Sequence, residues 1–160
     1  MKRIFIATIA IVTAISSLVG NESKCKDIAR REYPNDARMQ EYIYKNQLAA
    51  YRYIKTTAKD SDVMKIALHE YPNDYSMQKY TYDKQLAAKR YMAKVTDREV
   101  KEFALYEYPN DYSMQKYTYD KQLSAKDYMM NQPNNSAKKK ALREYPKDYS
   151  MQKYIYDRAL

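Results

Sequence analysis

Glu70-Tyr71-Pro72-Asn73-Asp74-Tyr75-Ser76-Met77-Gln78-Lys79-Tyr80-Thr81-Tyr82-Asp83-Lys84-Gln85-Leu86 returns almost letter for letter from Glu107 to Leu123. Looser copies run from Glu32 to Leu48 and from Glu144 to Leu160, so successive starts lie 38, 37 and 37 residues apart. A fixed period of this size marks one supersecondary unit used several times, each burying the next.

Proline sits at the same place in every copy, at Pro34, Pro72, Pro109 and Pro146. It pushes the preceding tyrosine out of helical backbone and so ends a helix there. Asn73 or Asp74, with Asn35-Asp36, Asn110-Asp111 and Lys147-Asp148, then supplies an N-cap for the next helix. Tyr-Pro-Asn-Asp therefore reads as a helix–turn–helix corner. Upstream of it, Val63, Ile66, Ala67 and Tyr71 form one apolar stripe at i, i+3, i+4 and i+8. Val100, Phe103, Ala104 and Tyr108 repeat that stripe, as do Cys25, Ile28, Ala29 and Tyr33. The small residue at Ala29, Ala67, Ala104 and Ala141 marks a close helix crossing. Ser61, Ser136 and the pair Thr96 with Glu99 are the expected caps of these first helices.

The second helix of a copy is longer, about Tyr75 to Lys94. At about 100° per residue, Met77, Tyr80, Ala87, Ala88 and Tyr91 gather on one face, and Tyr75, Tyr82, Leu86 and Ala93 on the other. Two apolar faces on one helix call for neighbours on both sides. The expected fold is all-α: tandem helix–turn–helix repeats stacked as a short α-solenoid of four αα-hairpins, the last truncated. The hairpins fall near 22–56, 61–95, 97–131 and 136–160 within one repeat domain, 21–160. Tyr80 and Tyr117, beside Met77 and Met114, are expected in the contact between hairpins. The pattern resembles tetratricopeptide-like arrays in repeat length and helix pairing. The Trp, Gly and Pro positions of that family are absent, so no binding mode carries over.

Composition agrees with helix. One Gly, no Trp and twenty Tyr leave no Gly-rich phosphate loop and few tight hairpin turns. The tyrosines all lie from Tyr33 onward. Met1-Lys2-Arg3, an apolar run to Val19 and small residues at Ser16, Ser17 and Gly20 follow the order of a secretory signal. Export to a periplasm or to the medium is expected, with an uncleaved membrane anchor over 1–20 as the alternative. Setting aside Lys2 and Arg3 leaves 27 basic against 20 acidic residues, a charge of +7. The lone Cys25 cannot form an internal disulfide. It is read as a core residue, with self-association through an intermolecular bridge as the alternative.

No recurring catalytic, cofactor or metal constellation is present. His69 is the only histidine, and its slot holds Arg31, Tyr106 and Arg143 elsewhere. Repeated pairs such as Glu70 with Asp74 suit capping better than acid–base work. The expected function is a non-enzymatic, exported scaffold that binds a protein or an envelope polymer. A binding surface is expected at Gln78, Gln85, Gln115 and Gln122, aligned as an amide ladder beside Lys79 and Lys116. The alternative is an electrostatic Tyr/Lys surface for an anionic glycan or lipid headgroup; export disfavours nucleic acid.

Overall fold

A computed structural model describes residues 21–159. The signal or anchor segment expected over 1–20 lies outside them. Within the described residues there are eight α-helices and no strand: α1 (21–32), α2 (Ala37–Thr56), α3 (Ser61–Glu70), α4 (Tyr75–Met92), α5 (Arg98–Glu107), α6 (Tyr112–Met130), α7 (Ser136–Glu144) and α8 (Tyr149–Asp157). None of these helices is long and apolar enough to cross a membrane.

Short and long helices alternate through α6 because the sequence punctuates them, and α7 and α8 have nine residues each. Tyr71, Tyr108 and Tyr145, each before a proline, leave the helix at φ near −132° and ψ near 68°, ending α3, α5 and α7. Their N–H groups still donate to Ala67, Ala104 and Ala141 at 3.0, 3.1 and 3.0 Å. Three residues after each of these tyrosines an aspartate opens the next helix. Asp74, Asp111 and Asp148 each accept from the N–H three residues on, at 3.0 Å. The first helices are capped one residue away from the expected serine or threonine, earlier at Ser61 and Ser136 and later at Thr96. Asp60, Asp97 and Asn135 take the role expected of Ser61, Thr96 and Ser136. A carboxylate or amide oxygen is as good a cap as a hydroxyl, and Asp adds favourable charge at the helix start.

The described residues form two compact units that divide after Tyr82, inside α4. In the first, Cys25 of α1 packs with Leu48 and Tyr51 of α2, with Tyr44 and Tyr75 against them. Asn21 ties this core, donating to the Tyr51 hydroxyl at 3.0 Å and accepting from Tyr75 at 2.7 Å. In the second, one cluster joins Met92, Val100, Ala104 and Tyr119; another joins Met129, Ala137, Ala141 and Tyr156. There α6 lies against α5 and α8, and α7 against α8. Ala29, Ala67, Ala104 and Ala141 are all buried, as their size at a close crossing requires.

Of the two tyrosine-bearing faces expected inside, that of Tyr82 is buried and that of Tyr80 is not. The buried stripe of α6 is Gln115, Thr118, Tyr119, Gln122, Ala125 and Met129. The matching positions of α4, namely Gln78, Thr81, Tyr82, Gln85, Ala88 and Met92, are buried too. Tyr82 and Tyr119 reach the start of the preceding short helix: Tyr82 accepts from the N–H groups of Lys59 and Asp60, and Tyr119 from Asp97. Tyr80 and Tyr117, expected in an inter-hairpin contact, are each 60% exposed. The interior position goes to the tyrosine two residues later, whose hydroxyl satisfies helix-start donors that would otherwise be orphaned.

Candidate functional site

The four glutamines expected on a binding surface are interior, with 1 to 4% of their surface accessible. They divide into two kinds. Gln78 and Gln115 donate back to the carbonyls of Tyr71 and Tyr108 at 2.6 Å, and Gln152 does the same to Tyr145. Each satisfies a carbonyl that the proline corner has left at a helix end. Gln40 repeats the bond to Tyr33 in the first copy, at an exposed site.

The second kind grips the second helix of the next copy. Gln85 donates to the cap residue Asp111 at 2.9 Å and accepts from the Ser113 N–H at 3.1 Å. Gln122 holds Asp148 and Ser150 at 2.8 and 3.1 Å, and Gln47 holds Asp74 and Ser76 at 2.8 and 3.2 Å. The planar amide offers one donor and one acceptor, the pair that a capping carboxylate and a free first-turn N–H require. No other uncharged side chain of that reach supplies both. The amide ladder expected for an external strand is thus spent on internal bonds, and the glutamines do not form an open surface.

Lys79 and Lys116, the remaining expected site residues, are half-buried, their ammonium groups 4.5 Å from the ring centroids of Tyr53 and Tyr91. Lys116 also pairs with Asp120 at 2.6 Å, and Asp120 accepts from the Tyr91 hydroxyl at 2.6 Å. Lys153, Asp157 and Tyr128 repeat this triad. The hydrogen bond to Asp120 raises the Tyr91 pKa. For Asp120 burial pushes upward, yet the bonds from Lys116 and Tyr91 prevail and hold it below its ordinary value. The Lys153 bond, then the Tyr128 bond, likewise lowers Asp157.

The residues left for a surface are tyrosines, among them Tyr80 and Tyr117, which were expected between hairpins. Tyr42, Tyr80, Tyr117 and Tyr154 occupy one position of α2, α4, α6 and α8 and are 59, 60, 60 and 49% exposed. Lys84, Lys121 and Arg158 lie one turn on from the last three and are exposed as well. An exposed aromatic recurring at one place is more informative than scattered apolar residues. Repetition in the sequence could have flagged these tyrosines, but choosing them over Tyr82 and Tyr119 required knowing that glutamine faces inward.

His69 is exposed on α3 and Cys25 is fully buried in the α1–α2 core. Burial first, then Glu22, pushes the Cys25 thiol pKa up. A bridge between copies through Cys25 would require α1 to open. Among the described residues no group of three or more His, Cys, Asp or Glu could hold a metal ion. No family model, curated protein or solved structure matches the chain.

Proposed function

We propose that the chain is an exported, non-enzymatic scaffold whose four helix pairs stack as a short α-solenoid and bind a protein or envelope polymer. The observation that carries the reading is the recurring exposure of Tyr42, Tyr80, Tyr117 and Tyr154. Tyrosine offers a large contact area with little rotamer freedom to lose, which suits it to recognition. The glutamine grips recurring from α2 to α4, α4 to α6 and α6 to α8 support stacking, because each ties one helix pair to its successor. The first copy fits an end cap. It carries Ala37-Arg38 where later copies carry the Tyr-Ser that meets a preceding pair. Export rests on the order of residues 1–20.

A second reading has its own support: Lys84, Lys121 and Arg158 beside the exposed tyrosines suit an anionic polymer. Photo-crosslinking tests both. A benzophenone amino acid at Tyr80 or Tyr117, irradiated in the native compartment, should give discrete adducts identifiable by mass spectrometry. The same group at exposed Thr57 should not. Adducts that vanish after a high-salt wash select the anionic polymer. Equal labelling from Thr57 and Tyr117 would overturn the surface assignment.

A further inference from the structure

A cavity of about 550 Å³ lies in the second unit, lined by Glu99, Glu102, Phe103, Tyr106, Glu107 and Lys147. Five of the six come from α5 at i, i+3, i+4, i+7 and i+8, a single stripe distinct from the buried Val100 and Ala104. We propose that this cavity binds an organic cation, an ammonium or guanidinium group carried on an apolar stem. It is separate from the tyrosine face and does not depend on that reading.

The lining matches such a ligand in charge, in aromatic content and in size. Three carboxylates and one ammonium line it, in a chain whose overall charge is +9. Lys126 and Arg98 reach Glu99 and Glu102 from outside the lining, and Glu107 has no such pair among the described residues. The equivalent stripe of α7 is Ser136, Lys139, Lys140, Arg143 and Glu144; that of α3 is Asp62, Lys65, Ile66, His69 and Glu70. Only α5 combines three glutamates with two aromatic rings, so the repeat itself does not require this composition. Tyr106 is 83% exposed, an extreme for a residue of its size. An aromatic face beside carboxylates attracts a cation through its quadrupole while covering the apolar stem. The volume falls in the range of small-ligand clefts.

Glu99 is held toward its charged form. Glu99 accepts from the Tyr149 hydroxyl at 2.7 Å and from Lys126 at 3.2 Å. The Tyr149 bond, more than Lys126, keeps its pKa below the usual value. Glu102 pairs with Arg98 at 2.8 Å across an exposed contact that contributes little and is readily exchanged. Glu107 ends α5, where a negative charge opposes the helix dipole. A bound cation would relieve that opposition.

Phenylalanine occurs only at positions 5 and 103, so fluorophenylalanine labelling gives a direct reporter of the cavity. Spermidine and a short lysine peptide amide, added to the full chain at constant ionic strength, should each shift the Phe103 fluorine line saturably. The double variant Glu102→Gln with Glu107→Gln should weaken binding about tenfold or more, as for loss of charge-assisted contacts. Tyr106→Ala should weaken it as well, without changing helicity. If only spermidine shifts the line, the ligand is a free small cation; if only the peptide does, it is a basic polypeptide. No saturable shift with either probe would overturn the assignment. So would an equal shift with heptanediol, or affinity unchanged in the double variant.

Discussion

Two faces of the same long helix have exchanged the residues that polarity alone would give them. On α6 the inner face carries Gln115 and Gln122, at 1 and 4% exposure, while Tyr117 on the outer face is 60% exposed. Burying a glutamine is costly unless both ends of its amide find partners. Gln122 finds the Ser150 N–H, which a helix start would otherwise leave unpaired, and Asp148, the carboxylate that caps the same helix. A polar residue is interior here because the interior contains helix ends. Tyr117 is outside because Tyr119, two residues on, occupies the one inward slot where a hydroxyl is useful.

The largest effect should come from the inner face. Tyr119→Ala removes a buried ring from the Met92, Val100 and Ala104 cluster, and comparable truncations cost about 3–5 kcal/mol. Urea unfolding would measure it, and a cost below about 1 kcal/mol would place Tyr119 at the surface. Gln122→Leu keeps the volume but strands the Ser150 N–H and removes one of the donors to Asp148, for about 1–3 kcal/mol in the same assay. Gln115→Leu should cost less, about 1 kcal/mol, since only the donor end of that amide is bonded, the Gln115 Oε1 having no partner.

The pH dependence probes the carboxylates and tyrosines around the outer triads and α5. Asp97, Glu99, Asp120 and Asp157 all have folded pKa values below 3.8 for Asp or 4.5 for Glu. Their contribution is complete above those values and is lost as pH falls through the lowered ones. Tyr91, Tyr128 and Tyr149 are raised above 10.0, so theirs is complete below pH 10.0 and lost as pH climbs through the raised values. Thermal melts should therefore show a plateau between about pH 5 and 9, with shallow limbs on both sides. A steep fall within the plateau would contradict the assignments. The smallest effect belongs to the outer face: Tyr117→Ala should change stability by about 0.5 kcal/mol or less.

Much of the fold was legible because its signals are local. Four prolines with an aspartate two residues on fixed the corners, and the stripe ending in Ala104 and Tyr108 fixed the short helices. The caps came out one residue off at Ser61, Thr96 and Ser136, since Asp60, Asp97 and Asn135 beside them satisfy the same rule. The site was not legible. Summing apolar residues around a helix turns Tyr80 inward and Gln78 outward. What turns Gln78 inward is the Tyr71 carbonyl at the proline corner, and for Gln85 the partners lie 26 and 28 residues on, at Asp111 and Ser113. Sequence periodicity revealed that glutamine recurs but not what it holds. The cavity along α5 was missed because its composition appears in one copy alone.

The inward glutamine is tested most directly by amide hydrogen exchange at Ser113 and Ser150. Both are first-turn amides, which ordinarily exchange freely for want of an intrahelical acceptor. The bonds to Gln85 and Gln122 predict slow exchange at both, with Gln122→Leu releasing Ser150 while Ser113 stays protected. Fast exchange of both amides in the unmodified chain would contradict the account.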